Sequence, residues 1–175
     1  MGILKKVVDL VETIPKGDRD SWEEYFMAQA YLISLRSTCG SRRVGSVIVN
    51  GLEKGKRRIL ASGYNGNPSG DIHCYEGGCP RLEARKNGTL KTGDYSDEFP
   101  CYAIHSEANA LYQMSKLGTP AEGCILFSTT FPCRHCAEKI LGTGIKKVYY
   151  YEGYPDEFSR KYFDKYGVKY KQIKI

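Results

Sequence analysis

Trp22, Phe26, Ala30 and Ile33 recur at helical spacing, with Tyr25, Gln29 and Leu32 beside them, and this pattern predicts a helix over Ser21 to Thr38 with a wide apolar face. Ser21 opens it and Glu24 follows three residues later, the spacing of a capping box. The period then changes. Val44 to Val49 is rich in β-branched residues and predicts a buried strand, paired with Arg58 to Tyr64 across the Gly-containing connection Asn50 to Lys56. Asn65-Gly66-Asn67-Pro68 stops the second strand. Farther on the rhythm is regular. Helices are predicted over Ile104 to Lys116, Cys133 to Leu141 and Asp156 to Tyr166, and strands over Cys124 to Thr129, Ile145 to Tyr151 and Val168 to Ile173. Strands alternating with helices after an opening hairpin predict one α/β domain over residues 1–175, with its core at about 20–152. The expected architecture is a three-layer α/β/α sandwich with a mixed five-stranded sheet.

Pro68 to Pro100 breaks the rhythm. It is rich in Gly and charge, and only Arg81 to Lys86 reads as a short helix. A structureless loop of that length inside a compact domain is uncommon unless it is functional or tied down. It carries His73, Cys74 and Cys79, with Cys101 just beyond.

Composition narrows the picture. The chain has 175 residues, 41% hydrophobic and 26% charged, which predicts a soluble globular protein. No run approaches the ~18 apolar residues of a membrane span. Met1 to Gly17 shows neither the apolar run nor the small-residue cleavage site of a secretory leader, and Lys6 breaks the myristoylation pattern after Gly2. There are seven cysteines against three histidines, and an odd number excludes complete disulfide pairing in a monomer. A cytoplasmic setting is therefore expected, with the cysteines acting as metal ligands, nucleophiles or small core residues. The net charge of +6 is concentrated in Arg160 to Ile175, where six cations face Asp164 alone. That stretch also carries an apolar pattern in Tyr162, Phe163, Val168, Tyr170 and Ile173, so it reads as a solvated face on the last elements rather than a phosphate-binding tail.

Two segments carry the chemistry. His105-Ser106-Glu107 opens one predicted helix, and Pro132-Cys133-Arg134-His135-Cys136 opens the next. Cys133 and Cys136, three apart on a first turn, direct both sulfurs to one side, where a helix N-terminus favours thiolates. His105 adds an imidazole. Three protein ligands leave a fourth tetrahedral position open for water, as in a catalytic zinc site. Glu107, two residues beyond His105, is placed to reach that water without being a ligand. H-x-E followed by P-C-x-x-C is the zinc deaminase signature. His135 is expected to point away from the metal, and Cys124 to be a core residue.

The chain resembles the zinc-dependent cytidine deaminase superfamily and, within it, the deoxycytidylate (dCMP) deaminases. The resemblance runs from about Trp22 to Tyr151. It rests on EEYFMAQAYLISLRSTC up to Cys39, on Arg43 to Val49, on Ser62-Gly63-Tyr64-Asn65-Gly66 with Pro68-Ser69-Gly70, on His73-Cys74 with Gly78-Cys79, on HSEANA from His105, and on Thr129 to Cys136. Ser106 stands where that family usually has Ala. Similar proteins also include competence-operon products.

The resemblance implies hydrolysis of dCMP to dUMP and ammonia, in pyrimidine deoxynucleotide metabolism. A zinc-activated water attacks C4 of the cytosine while Glu107 moves the proton. It implies that Asn65 holds the sugar 3′-hydroxyl. Phe131 and Tyr151 are candidates to stack on the base, and Arg42, Arg43 and Arg134 to hold the 5′-phosphate. It further implies a structural zinc on Cys39, Cys74, Cys79 and Cys101, with His73 as a substitute ligand. Bound metal would explain how the long loop stays ordered. A homohexamer activated by dCTP with Mg²⁺ and inhibited by dTTP is also expected, the effector lying near Gly63, Tyr64, Asn65 and Gly66. No membrane or nucleic-acid partner is expected. Two other readings stand beside this one. The first is a deaminase acting on a nucleoside, tRNA or single-stranded DNA, motivated by the basic tail. The second is a non-catalytic zinc-stabilised binding module, which would have no use for Glu107.

Overall fold

In the computed structural model the described residues are 2–91, 96–154 and 156–174. The predicted loop from Pro68 to Pro100 therefore has residues 92–95 outside them. Two helices precede the sheet, α1 (Ile3–Thr13) and α2 (Trp22–Ser34). The capping box of α2 forms: Glu24 N donates to Ser21 Oγ at 3.2 Å and Ser21 N to Glu24 Oε2 at 3.1 Å. The helix stops at Ser34, short of the predicted Thr38, because the next residues turn toward Asn65. Ser37 Oγ and Thr38 N donate to the Asn65 carbonyl at 2.9 and 3.2 Å.

The five strands are β1 (Gly45–Val49), β2 (Ile59–Tyr64), β3 (Ile125–Thr130), β4 (Lys147–Glu152) and β5 (Lys169–Gln172). Their order in the sheet is β2-β1-β3-β4-β5. β1 runs antiparallel to both β2 and β3, while β3, β4 and β5 are parallel. The remaining helices are α3 (Pro80–Lys86), α4 (Ser106–Lys116), α5 (Arg134–Gly142) and α6 (Glu157–Tyr166), with a short 3-10 turn at Cys74–Glu76.

Alternation along the strands sorts the core into two layers. Val47, Val49, Phe127 and Tyr149 face α2 through Phe26, Met27 and Ala30. Ile48, Ala61, Leu126, Val148 and Tyr150 face the other way, against Leu111 and Met114 of α4, Ile140 of α5 and Phe163 of α6. A mixed five-stranded sheet between helical layers is the predicted architecture. The basic tail folds into α6 and β5, as its apolar pattern requires. Ile3–Thr13, for which no element was predicted, form α1, none of whose residues is buried. No described helix is long and apolar enough to cross a membrane.

Two glycines set how closely helices approach the sheet. A Cβ on Gly45 would lie 2.0 Å from the Ala30 carbonyl oxygen of α2. A Cβ on Gly63 would lie 2.3 Å from the Ser106 carbonyl and 2.5 Å from Ala110 N, so α4 rests directly on the backbone of β2. Gly63→Ala is expected to lower unfolding stability by about 1–3 kcal/mol, because backbone must move to admit the methyl. Urea denaturation checks this, and an unchanged midpoint would refute the close contact.

Candidate active site

Two helix starts meet at the C-terminal end of β3. β3 ends at Thr130, and α5 begins after Cys133. His105 precedes α4 and is held in place through its neighbour Ile104, which exchanges backbone hydrogen bonds of 2.9 and 3.1 Å with Gly66 just past β2. His105 and Cys133 are the N-caps of α4 and α5, and neither spends its side chain on capping. Both remain free for a ligand. His105 Nδ1 lies 3.4 Å from Cys133 Sγ and 3.4 Å from Cys136 Sγ. All three donor atoms lie within 4.8 Å of one another. Tetrahedral zinc, with Zn–S about 2.3 Å and Zn–N about 2.0 Å, sets nitrogen and sulfur about 3.5 Å apart, so these side chains fit the metal without rearrangement.

Electrostatics agree with that use. Hydrogen bonding to Cys136, with a further contribution from His105, brings the Cys133 thiol down to about 4 against its own burial. The same bond to Cys133, together with burial and the Glu107 carboxylate, pushes Cys136 well above the ordinary thiol range. His105 is raised, first by its bond to Cys133 and then by Glu107, with burial opposing. The thiolate form is thus favoured at Cys133 and disfavoured at Cys136.

Glu107 lies in the first turn of α4, 4% exposed. Burial raises its pKa. Its Oε2 accepts from Ser106 Oγ at 3.2 Å and from the Cys136 thiol at 3.5 Å. Ser106, the residue that departs from the family's Ala, fills its place with a buried hydroxyl chain. Ser106 Oγ lies 2.8 Å from Ser46 Oγ, which donates to Ser128 Oγ at 3.1 Å.

A cavity of about 250 Å³ opens onto this set and reaches Asn65, Phe131 and Arg42. Asn65 Oδ1 accepts from Val44 N at 2.8 Å and Ser37 Oγ at 2.7 Å, and Nδ2 donates to the Arg42 carbonyl at 2.8 Å. Nδ2 carries a second hydrogen beyond that bond. Phe131 is 1% exposed and packs edge-on against Tyr150, with the Arg160 guanidinium 4.3 Å above its ring. Arg42 pairs with Glu152, which also accepts from Tyr31.

Other predicted residues lie elsewhere. Tyr151 packs against Tyr31 on the α2 side of the sheet and does not line the cavity; Tyr154 does. Arg43 does not line the cavity but borders an adjoining groove with Ser37 and Tyr75, which shares Cys39, Ser41 and Arg42 with it. Arg134 lies 4.4 Å over Phe158 and pairs with Glu138 at 3.4 Å. Gly63 and Gly66 are packing positions, since a Cβ on Gly66 would meet Thr38 Oγ1 at 2.0 Å, and the Tyr64 carbonyl accepts from Asn109 Nδ2 at 2.7 Å. His135 is exposed near Glu138, and Cys124 is buried beneath the start of β3, both as expected. Arg81, Arg85 and Tyr154 line the cavity without having been singled out in the sequence. Arg81 and Arg85 lie in the one non-periodic segment, and their spacing of four was the signal that could have found them.

The other cysteines gather around the loop. Burial first, and then the Cys79 and Cys39 thiols, raise Cys74 to about 12, while the Gly40 N–H donates to it. Ser41 N donates to Cys39 Sγ at 3.5 Å and Leu82 N to Cys79 Sγ at 3.4 Å. Cys101 is exposed, and it lines the cavity with Cys39 and Cys79. These four do not bring three sulfurs within 4.8 Å of one another. His73 Nδ1 is buried without a hydrogen-bond partner among the described residues.

A buried carboxylate beside an open Cys₂His donor set, carried on the ends of a layered α/β sheet, defines a zinc-dependent hydrolytic enzyme. The family model of the cytidine and deoxycytidylate deaminase zinc-binding region matches residues 20–152, and the chain belongs to that family of deaminases. The chain is 36% identical over 159 residues to ComE operon protein 2 of Bacillus subtilis, covering 90% of this chain and 74% of that protein. It is 41% identical over 140 residues to the deoxycytidylate deaminase of Schizosaccharomyces pombe, covering 80% of this chain but only 40% of the relative. The crystal structure of the dCMP deaminase of cyanophage S-TIM5 in complex with dCMP and dUMP aligns with a TM-score of 0.68 at 30% identity, over 89% of this chain and 99% of that one.

Metal capture here must displace the proton that Cys133 and burial hold on the Cys136 thiol. Zinc affinity is therefore expected to fall about tenfold or more from pH 7.5 to 6.5. Competition with a chromophoric chelator measures it, and a pH-independent affinity would contradict the assigned donor set.

Proposed function

We propose that this chain converts dCMP to dUMP and ammonia by hydrolysis. The observation that carries the reading is Glu107, buried at the mouth of the His105–Cys133–Cys136 set in a cavity that also presents Asn65 and cationic side chains. His105, Cys133 and Cys136 would hold zinc, which when bound supplies the Lewis acidity that makes a water nucleophilic near neutral pH. Glu107 does the proton work. It accepts a proton from the attacking water, delivers it to N3 of the ring, and passes the second to the amine at C4, which leaves as ammonia. Burial suits it to this task, because a carboxyl held above its ordinary pKa both takes and returns a proton near neutrality. The second Nδ2 hydrogen of Asn65 donates to the sugar hydroxyl. Arginine in the cavity wall favours a nucleotide over a nucleoside.

The proposal extends to a second zinc held by Cys39, Cys74 and Cys79, completed by Cys101 or His73. What supports it is that backbone N–H groups donate to the Cys39 and Cys79 sulfurs and that both cysteines line one cavity with Cys101. Seven cysteines without a disulfide suit a cytoplasmic setting. A single domain over the whole chain, assembly as a homohexamer, and regulation by dCTP with Mg²⁺ and by dTTP at Gly63 to Gly66 enter the proposal from the family resemblance.

Purified protein given dCMP, cytidine, dCTP and an adenosine-containing RNA hairpin is expected to release ammonia from dCMP. Turnover of the hairpin alone would overturn the reading. Glu107→Ala should keep its zinc and lose about 10³-fold in kcat; an active variant would exclude the mechanism. Metal analysis should return about two zincs per chain, and a fully folded protein with one would remove the second site.

A further inference from the structure

We infer that Arg85, supported by Arg81, is the residue that reads the substrate's phosphate, an assignment that rests on the nucleotide reading above. Both lie on α3, inside the segment without hydrophobic rhythm, and both line the cavity that holds His105 and Glu107. Their spacing of four puts them on one helical face. Arg81 donates its Nε hydrogen to the Phe99 carbonyl at 3.2 Å. Arg85 differs: its Nε is buried and has no hydrogen-bond partner among the described residues.

A guanidinium stays charged at any physiological pH and offers five donors in a fixed fork. A buried donor without a partner is unfavourable, so the unpaired Nε hydrogen of this part-buried side chain marks a place for an acceptor. The described residues of the cavity wall supply no free anion. Glu107 is the one acid lining it among the described residues, and its carboxylate is taken up by Ser106 and Cys136. Arg42, the third arginine of the wall, is already paired with Glu152. Arg85 can therefore take an anion whose oxygens meet the fork in two parallel hydrogen bonds. A phosphomonoester on the sugar's 5′ carbon has that chemistry.

The test compares a substrate with and without its phosphate. The zinc-loaded protein and its Arg85→Gln and Arg85→Lys variants are assayed with dCMP and with deoxycytidine, and zinc content is measured on each. Arg85→Gln is expected to lower the ratio of kcat/KM for dCMP over deoxycytidine at least ~10-fold, through KM rather than kcat, with zinc content unchanged. Arg85→Lys, which keeps the charge and loses the fork, should fall between the two. Ratios in both variants within about twofold of the parent would overturn the assignment. So would loss of zinc with an equal fall on both substrates, because Arg85 would then serve the thiol cluster. Calorimetric binding of dUMP against 2′-deoxyuridine repeats the comparison without turnover. A parent protein that binds dUMP through Arg85 yet leaves dCMP intact would refute the dCMP reading alone.

Discussion

Three donor atoms from two separate helices must converge to within a few ångströms, and most of the structure serves that convergence. His105 and Cys133 each occupy an N-cap, where the side chain projects off the end of its helix rather than along its flank. The two N-caps meet because β3 feeds α5 beside β1, and because α4 lies flat on β2. Gly63 permits the second contact, and the backbone bridge between Gly66 and Ile104 fixes the chain just before His105. Helix N-termini also lend a positive dipole to the thiolates, so geometry and electrostatics favour the same place.

Glu107 shows what that convergence makes available. Placed two residues after His105, it is carried inward by the same helix turn and lies beside the donor set. Its burial would be costly for an ionised carboxylate. Ser106 and Cys136 partly offset this by donating to Oε2, and the serine chain behind Ser106 leaves none of its three hydroxyls unpaired. The cavity wall on the α3 side is built on the opposite principle, with cationic groups and hardly any acid. A substrate that is neutral at one end and anionic at the other fits that gradient.

Much of this was legible in the sequence because it depends on short-range rules. The capping box at Ser21 and Glu24 marks the start of α2, and β-branched runs mark β1 and the strands that follow. The metal set was legible because its spacing is local: H-x-E on one helix start, C-x-x-C on the next. What depends on long-range packing was not. Tyr151 and Tyr154 are near neighbours in sequence, yet the alternation of β4 sends Tyr151 to the far face, whereas Tyr154 beyond the strand's end reaches the cavity. Arg43 and Arg134 are as basic as Arg85, but the first faces a different groove and the second lies over Phe158. α1 escaped notice because its helix makes no buried contact that would give its apolar residues a purpose in the core.

Diffraction collected on both sides of the zinc absorption edge tests the central claim most directly. An anomalous peak is expected about 2.0 Å from His105 Nδ1 and about 2.3 Å from each of Cys133 Sγ and Cys136 Sγ, with the Glu107 carboxylate outside the coordination sphere. A peak that includes Glu107 as a ligand, or a Cys133–Cys136 disulfide with no peak at all, would contradict it.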